Sequence, residues 1–295
     1  MPNYNHAPYL KERLDSILAQ DYPEKEIILL DDASTDDSTA IMARYATRKE
    51  VTFCVMSKNN SGNTFVQWEK GLQRAKGDYI WIAESDDVAD PTFLSRMVET
   101  LEREEAVVAF CRSKWIDSKG NMLPRKYERR WKRDFAMDGK AFVRRYLLGY
   151  TTICNASAVL FRRDQAAHVD MSAVAQFKAS GDRLFWIEMA LQGRVAYVAD
   201  ELNRFRQHPQ KVSGSAENKG LNIVQDYLIY RMTSAWVSPS CYERRLICGY
   251  HWKAIHQPTV SEEGREKAMR TWQQEPLFGK LSYWIYLFHR AIEKC

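Results

Sequence analysis

The sequence lacks the glycine-rich loops with which many proteins bind phosphate. Neither GxGxxG nor GxxxxGK(S/T) occurs among its 13 glycines, which weighs against dinucleotide and P-loop chemistry. The six cysteines form no CxxC pair and most lie in apolar stretches. Reduced core cysteines in a cytosolic protein are therefore expected, rather than disulfides or zinc. No stretch has the pattern of a signal peptide, and no apolar run reaches the roughly 18 residues of a membrane span.

The excess of positive over negative charge in the sequence is also small. The 295 residues carry 43 Lys and Arg against 38 Asp and Glu, a net charge of +5. This excess suits a phosphate-bearing ligand or an anionic membrane surface, but it is too small to indicate nucleic acid. The 45% hydrophobic content is typical of a globular protein with one large core or two modest domains.

Three acids follow a predicted buried strand. The segment Gly77 to Leu94 begins with a turn, continues as a strand over residues 79–83, and then places Glu84, Asp86 and Asp87 within four positions. Clustered acids repel one another unless a positive charge lies among them, and a hard divalent cation is the usual solution. The alternative is a loop with solvated acids, since acid-rich loops are common.

A helix is predicted directly after these acids. Asp90 is expected to cap it and Pro91 to occupy its first position, where a missing N–H costs nothing. Earlier in the chain, residues 26–30 predict a second buried strand, which ends in Asp31 and Asp32. In a doubly wound α/β sheet both acid sets face one crevice, which favours a nucleotide site with a metal on the diphosphate.

The organisation changes along the chain. Strands and helices alternate up to Leu101, which predicts βαβ units and a parallel sheet, whereas the sequence from about Gly220 reads as helix throughout. The last helix, Leu281 to Ile292, is rich in aromatic residues and ends near basic ones. It is too short to span a bilayer, and two interpretations stay open: a helix in a membrane interface, or a terminal helix packed on the protein.

The chain resembles family 2 glycosyltransferases, which have the GT-A fold, over roughly residues 1 to 215. Single motifs are weak, but their order and spacing together are specific. The matching stretches are PNYN at residues 2–5, LDSILAQDYPEKEIILLDDASTDDS at 14–38, NSGN at 60–63, AKGDYIWIAESDDVADPTFL from 75, SGDRLFWIEMALQGRVAYVAD from 180, and RFRQHPQKVS ending at 213.

This resemblance implies a nucleotide-sugar site. Pro2, Tyr4 and Asp32 would line the pocket for base and ribose, with Asp31 assisting.

The acids after the predicted strand over residues 79–83 would bind the metal and the ribose. Asp86 and Asp87 match the family's DxD motif, and Glu84 lies where many members have another Asp. Asp87 is the expected metal ligand, together with Glu84 and His208, and Asp86 is expected on the ribose or behind the ligands. The resemblance implies Mn²⁺ or Mg²⁺.

A catalytic base is implied further along the chain. Asp182 matches the acid of the family's Glu-Asp pair, and it would take a proton from the acceptor hydroxyl as that oxygen attacks the anomeric carbon, inverting it. Arg204, Arg206 or His208 would offset charge on the diphosphate. From the residues alone, Asp182 reads as an ordinary helix cap and His208 as a surface histidine.

Two departures from the family pattern stand out. Family members usually begin with a hydrophobic strand before the PNYN-like loop, where this chain has Met1. That strand would lie in the middle of the sheet, so a start further upstream is expected, and a weakened fold or site is possible without it. Gly181 stands where the catalytic pair usually has Glu, but the Asp is retained.

The expected architecture is an α/β GT-A domain over residues 1–215 with a helical extension over 216–295. The expected function is metal-dependent, inverting transfer from a nucleotide-sugar, with UDP favoured, to a glycan or lipid-linked acceptor in cell-surface polysaccharide synthesis. Cytoplasmic residence with peripheral attachment at the inner face of the membrane through the C-terminal helix is expected, and no nucleic acid. The alternatives are an impaired nucleotide-sugar-binding remnant and a nucleotidyltransferase.

Overall fold

The computed structural model describes residues 1–124, 131–208 and 220–292, which form two compact units. The sheet unit comprises Met1–Asp138, Ile153–Lys178 and Gln192–His208. The helical unit comprises Gly139–Thr152, Ala179–Leu191 and the described residues from 220 onward. The predicted domain boundary near residue 215 lies outside the described residues and stays a prediction.

The described chain contains both strands and helices. The strands are β1 (Pro2–Asn3), β2 (Ile27–Asp31), β3 (Val51–Met56), β4 (Tyr79–Trp81), β5 (Val88–Ala89), β6 (Ala106–Ile116), β7 (Phe135–Asp138), β8 (Val159–Arg162) and β9 (Arg194–Arg206). The α-helices are α1 (Ala7–Leu18), α2 (Ser38–Tyr45), α3 (Thr64–Leu72), α4 (Phe93–Arg103), α5 (Gly139–Phe142), α6 (Arg163–Ala166), α7 (Met171–Gln176), α8 (Gly181–Ala190), α9 (Leu221–Val237), α10 (Cys241–Ile255), α11 (Glu262–Trp272) and α12 (Lys280–Ile292).

The first sheet has the predicted parallel pairing. It runs in the order β1, β2, β3, and both pairs are parallel. The loop predicted around Pro2 contains a short strand here, because Pro2 aligns with Leu30 and the Met1 carbonyl accepts from the Leu30 N–H at 3.0 Å. The sequence predicts helix α1 from the helical spacing of Leu10, Leu14, Ile17 and Leu18, and Leu10 and Leu14 pack on the buried side of β2.

The second sheet is mixed, unlike the parallel pairing expected for β4. Its order is β4, β8, β6, β9, β5, with β7 also on β9. Among the described strands of this sheet, only β6 and β9 pair in parallel, and β8 lies antiparallel between β4 and β6. Helix α4 covers this sheet with Phe93, Met97 and Leu101, all fully buried. The predicted α/β class is confirmed, and the pairing inside this sheet is what the local pattern did not indicate.

Helix α4 begins later than predicted. The chain first forms β5, which pairs with β9, and the Asp90 N–H donates to the Leu202 carbonyl at 2.8 Å. The Asp90 N–H is therefore still bonded to β9, and the Asp90 carboxylate accepts from the Thr92 N–H at 3.0 Å in a turn. Thr92 is the N-cap residue, so Pro91 lies before the helix rather than in its first turn.

The helical unit has an aromatic core. Trp272 of α11 stacks on His251 of α10 at 4.1 Å between ring centroids, and on Tyr230 of α9 at 5.8 Å. Helix α10 begins with a complete capping box between Ser240 and Glu243. Among the described residues, none of the helices combines the length and the hydropathy needed to cross a membrane.

Helices α10 and α12 approach each other closely at Gly249. A Cβ atom at this position would overlap the Ser282 carbonyl and would lie 2.5 Å from the Cβ of Tyr286. We therefore expect Gly249→Ala to lower the free energy of unfolding by about 1–3 kcal/mol through overpacking. This outweighs the gain of about 1 kcal/mol that Ala normally gives over Gly inside a helix. Urea unfolding followed by circular dichroism measures the change.

The matched control is Gly71→Ala in helix α3. Its Cβ would meet only the Cδ1 atom of the flexible Leu30 side chain at 3.3 Å, so a change within about 1 kcal/mol is expected. Equal unfolding curves for the two variants would contradict the close approach at Gly249.

Candidate active site

The acids predicted to form the site lie between β4 and β5, and Asp87 is the most enclosed of them. It is 1% exposed. One carboxylate oxygen accepts from the Arg206 N–H at 2.9 Å and the other from the Asn155 amide at 2.7 Å. Burial and the neighbouring Asp86 raise the pKa of Asp87, while Arg13 opposes this shift. Both oxygens of Asp87 therefore hold protein groups.

Glu84 also accepts a hydrogen bond from the protein. Its carboxylate accepts from the Trp68 indole N–H at 3.0 Å, and its own N–H donates to the Ser157 hydroxyl at 3.0 Å. Burial, followed by the charges of Asp86 and Asp87, raises the pKa of Glu84 to about 8. A carboxyl group with such a pKa is mostly protonated at neutral pH.

A buried arginine of β9 holds the loop of residues 84–87, which we call the acid loop. The side chain of Arg206 donates to the Asp86 carbonyl at 2.7 Å, to the Asp117 carbonyl at 3.2 Å, and to Glu12 at 2.6 Å. Its guanidinium also lies 4.8 Å from the centre of the Tyr9 ring. Arg206 was predicted to contact the diphosphate, but its three side-chain nitrogens are occupied within the protein.

A second arginine, Arg13, is buried beside the acids. Its guanidinium lies 4.6 Å from the centre of the Trp81 ring, and its three nitrogens have no hydrogen-bond partner among the described residues. Burial lowers the pKa of Arg13 to about 10, although Asp87, Asp86 and Glu84 act to raise it. Arg13 is thus a positive charge within the acid cluster that the sequence reasoning did not identify.

Asp86 lies beside two histidines instead. Its carboxylate is 3.0 Å from Nε2 of His208, and the ring of His6 lies 5.3 Å from that of His208. One ligand atom from each of His6, Asp86 and His208 lies within 4.8 Å of the other two. Nδ1 of His208 is buried and has no hydrogen-bond partner among the described residues.

These three side chains fit a divalent metal ion. Two imidazoles and one carboxylate form a compact donor set, and a buried ring nitrogen without a partner is a group that an ion or a ligand satisfies. Within the described part of the chain, no other group of three or more His, Cys, Asp or Glu side chains has ligand atoms so close together. Asp87 and Glu84, which were predicted as ligands, are outside it.

The predicted pocket for the base contains two buried carboxylates, Asp31 and Asp32. Asp31 accepts from the Asn3 amide at 2.8 Å and from the Ser34 hydroxyl at 2.6 Å. Asp32 accepts from the Ser61 N–H at 3.0 Å and from the Gln67 amide at 2.5 Å. The two acids thereby fix the loops that follow β2 and β3.

Pro2, Tyr4 and Arg204 complete the predicted donor residues. Pro2 is buried in β1, and Tyr4 directly after that strand has 46% of its surface exposed. Arg204 is exposed on β9, and its side chain forms no hydrogen bond or ion pair with the described residues. Unlike Arg206, Arg204 is available to a ligand.

The predicted base, Asp182, belongs to the helical unit. It lies in the first turn of α8, and its carboxylate accepts from the Arg183 N–H at 2.8 Å. Its side chain is partly exposed, whereas Gly181 and Arg183 on either side are buried. Burial raises the pKa of Asp182 to about 6, with Arg183 lowering it and Asp226 raising it further. Such a pKa suits a group that accepts a proton near neutral pH.

Three residues of this site were missed in the sequence. The signal for Arg13 was a charged residue on the inner side of α1, between Leu10 and Leu14, where only an ion pair or a functional role keeps a guanidinium. His6 directly follows the PNYN loop, and a histidine there was a signal for a ligand. Nothing local indicates Asn155, because only the fold brings it to Asp87.

Comparison with known proteins identifies relatives of the chain. The sequence pattern of "Glycosyl transferase family 2" matches residues 1–168. A protein of Mycobacterium tuberculosis without an assigned function is 28% identical over 218 residues, which cover 72% of this chain and 59% of that protein. The teichuronic acid biosynthesis glycosyltransferase TuaG of Bacillus subtilis is 25% identical over 231 residues, covering 78% of this chain and 85% of TuaG. The chain thus spans about three fifths of the mycobacterial relative.

Solved structures share the fold at low identity. TarS 1–349 of Staphylococcus aureus in complex with UDP has a TM-score of 0.57 and 18% identity, covering 98% of this chain and 90% of TarS 1–349. The mannosyltransferase PcManGT of Pyrobaculum calidifontis, in complex with GDP-Man and Mn²⁺, also has a TM-score of 0.57, with 16% identity, and covers 100% of this chain and 79% of that one. The family match extends over more than half of the chain and these structures show the same architecture, so the chain belongs to glycosyl transferase family 2 and has the GT-A fold.

Proposed function

We propose that the chain transfers a sugar from a nucleotide-sugar to an acceptor hydroxyl with inversion at the anomeric carbon. The observation that carries the proposal is the group formed by Asp86 of the acid loop with His6 and His208 in a family 2 chain. Asp86 is part of the acid pair that matches the DxD motif. The two histidines would complete, with Asp86, the ligand set of a metal ion on the diphosphate.

A UDP-sugar is the favoured donor in this proposal. TarS is recorded with UDP and with UDP-GlcNAc, whereas PcManGT is recorded with GDP-Man, so the fold accepts both bases and the preference rests on TarS. The proposed acceptor is a glycan or a lipid-linked glycan of cell-surface polysaccharide synthesis. The support is TuaG, which is named for teichuronic acid biosynthesis.

The donor-binding residues are proposed from their exposure and their contacts. Tyr4 is exposed next to β1 and offers a ring to the base, while Pro2 shapes the pocket below it. Asp31 and Asp32 are proposed to shape the pocket for ribose and base through the loops that they hold. Arg204 is the exposed guanidinium proposed to contact the diphosphate.

The proposed ion is Mn²⁺ rather than Mg²⁺, held by His6, Asp86 and His208. Imidazole nitrogen is a poor ligand for Mg²⁺, which prefers oxygen ligands in octahedral geometry. When bound, the ion offsets the negative charge that grows on the leaving diphosphate. Asp86 is favoured over Asp87 as the carboxylate ligand because both oxygens of Asp87 already accept hydrogen bonds. Glu84 is assigned to the support of the loop because one of its oxygens accepts from Trp68 and because its raised pKa keeps it mostly protonated, whereas a metal ligand must be deprotonated.

Asp182 is the proposed general base. Its carboxylate takes the proton of the acceptor hydroxyl while that oxygen forms a bond to the anomeric carbon. The bond from the anomeric carbon to the diphosphate oxygen breaks, and its electron pair leaves with the nucleoside diphosphate. Attack from the face opposite the leaving group gives inversion. Partial exposure of Asp182 lets an acceptor reach it.

The metal proposal is tested with His208→Ala and His6→Ala. Loss of one imidazole ligand weakens the binding of the ion, so we expect Mn²⁺ affinity to fall by roughly tenfold or more. UDP-sugar hydrolysis should fall with it, and the wild type should be more active with Mn²⁺ than with Mg²⁺. Paramagnetic resonance of bound Mn²⁺ measures the affinity independently of turnover.

The matched control is His168→Ala, which removes an exposed histidine of the same unit and should leave Mn²⁺ affinity unchanged. Wild-type Mn²⁺ affinity in both site variants would contradict the metal site. Absence of nucleotide-sugar binding and turnover in the wild type would favour the inactive remnant. Net formation of nucleotide-sugar would favour a nucleotidyltransferase.

The base is tested with Asp182→Asn. The amide cannot accept the proton, so we expect kcat for transfer to fall by about a hundredfold or more with little change in donor affinity. In the wild type, kcat/KM should fall as the pH drops below about 6, because the raised pKa of Asp182 lies there and only the carboxylate is active. Asp164→Asn, an exposed acid whose side chain is 81% accessible, should keep wild-type kcat and pH profile. Full activity of Asp182→Asn would contradict the assignment.

Peripheral attachment to the inner face of the membrane through α12 is part of the proposal. The helix packs on α10 with Ser282 and Tyr286, while its other side carries an exposed apolar stripe. The members of this stripe are 60–69% exposed: Leu281, Trp284, Phe288 and Ile292.

Charge favours an anionic lipid surface as the occupant of this stripe. Helix α12 contains Lys280, His289 and Arg290 and no acid between residues 280 and 292. Two copies paired through α12, parallel or antiparallel, would bring like charges together, whereas anionic headgroups attract them. An apolar stripe with Trp and Phe and flanking bases is typical of a helix that lies in a membrane interface.

The membrane contact is tested with the double variant Trp284→Glu, Phe288→Glu. We expect sedimentation with vesicles containing phosphatidylglycerol to fall by about tenfold or more, because each large apolar side chain contributes about 1.5–3 kcal/mol when buried. The control Gln273→Glu, Gln274→Glu adds the same charge at exposed positions next to α11 and should bind nearly as the wild type does. Equal vesicle binding by both double variants, or concentration-dependent dimers without vesicle binding, would contradict the proposal.

A further inference from the structure

The first turn of α8 is held by two consecutive residues of α9. The side-chain oxygen of Gln225 accepts from the Ala179 N–H at 2.8 Å and from the Ser180 N–H at 3.1 Å. The Ser180 hydroxyl donates to the Asp226 carboxylate at 2.8 Å. Ser180 is the N-cap residue of α8 but does not cap the helix with its side chain. Its hydroxyl is used to fix the helix to α9 instead.

An ion pair fixes the other side of Asp182. Arg183 forms an ion pair with the Asp226 carboxylate, and the two side chains are 3% and 11% exposed. The same carboxylate oxygen of Asp226 therefore contacts the residue two positions before Asp182 and the residue directly after it. Enclosing such a pair has a high desolvation cost, and a specific geometric role is the best-attested reason to keep one.

We propose that Gln225 and Asp226 are positioning residues for Asp182, holding the first turn of α8 so that the Asp182 carboxylate is fixed for proton transfer. The inference rests on the proposed role of Asp182 as base and deepens it. Positioning matters at this scale, because an error of about 1 Å in a reacting group costs on the order of a hundredfold in rate. Gln225 and Asp226 belong to the stretch of sequence that was predicted only as a helical extension.

Asp226 also acts on Asp182 through its charge. Its negative charge raises the pKa of Asp182, and it pairs with Arg183, which lowers that pKa. His251 of α10 faces Arg183, and burial lowers the pKa of His251 so far that it is neutral. The segment 139–147 packs on α8, and its bases point elsewhere: Lys140 and Arg145 are exposed, and Arg144 pairs with Glu243 at 3.0 Å.

The test compares Asp226→Asn with the wild type in transfer kinetics. The amide oxygen still accepts from Ser180, but the charge and the ion pair with Arg183 are lost. We expect kcat to fall by about ten- to a hundredfold with KM for the nucleotide-sugar unchanged. The fall of kcat/KM on the low-pH side of its pH profile, the acid limb, should move to lower pH, because a negative charge that raises the pKa of Asp182 is removed. Asp226→Glu should recover part of kcat.

Two further variants keep the inference falsifiable. Gln225→Ala removes the acceptor of two N–H groups and keeps every charge, so kcat should fall while the acid limb stays in place. Hydrogen exchange of the first turn of α8 should become faster in this variant, which is a readout independent of activity. The control Glu266→Gln removes an exposed negative charge from α11 and should change neither kcat nor the limb.

The outcomes separate the inference from the proposed function. Folded Asp226→Asn and Gln225→Ala proteins with wild-type kcat and acid limb, beside an inactive Asp182→Asn, would overturn the inference and leave the proposed base in place. Where Asp226→Asn does not fold, Gln225→Ala decides alone. A wild type that turns over no nucleotide-sugar would overturn the proposed function itself, and the exchange rates of α8 would still show whether Gln225 holds its first turn.

Discussion

The constraint on which the sheet unit depends is the enclosure of three carboxyl groups on one four-residue loop. Unpaired charges in a protein interior carry a desolvation penalty of several kcal/mol each, so the loop requires positive charge and hydrogen-bond donors from elsewhere. Arg13 supplies charge from α1, and Arg206 ties the loop to α1, to the hairpin after β6 and to the end of β9 at once. The contacts that pack these elements together are therefore also the contacts that shape the site. A change at Arg13 would remove the positive charge that opposes the raised pKa of Asp87, and a change at Arg206 would release the loop from Glu12 and Asp117.

These contacts also place two adjacent acids in different surroundings. Asp87 faces inward, where Asn155 and the backbone of Arg206 use both of its oxygens, and Asp86 lies beside His208 and His6. The sequence predicted that acids after β4 form the site and favoured Asp87 as the ligand, and this choice stays a prediction. Which of the two is held depends on a strand that arrives 119 residues later. No local pattern encodes that contact, so the hydrogen bonds that hold Asp87 become visible only in the fold.

The fold shows the same limit on sequence reasoning. Apolar spacing predicted α1, β2 and the core face of α4, because those positions depend on periodicity within one segment. The start of α4 and the antiparallel place of β8 depended on pairing with β9 and β6, and periodicity carries no information about partners. Arg13 shows the converse case: a charged residue broke an apolar face, and the break was the signal. Departures from a local rule are where a site is to be sought.

The helical unit extends this argument to the segment that carries Asp182. Along the chain, residues 179–183 and 222–226 are separated by β9 and by residues outside the described ranges, yet in space they share hydrogen bonds and a buried ion pair. A carboxylate in the first turn of a helix is favoured by the helix dipole only while that turn stays formed. Helix α8 has no side-chain cap at its own N-cap residue, so its first turn depends on α9. Helix α9, which the sequence predicted only as part of a helical extension, therefore supports the turn that carries the proposed base, because that turn has no cap of its own.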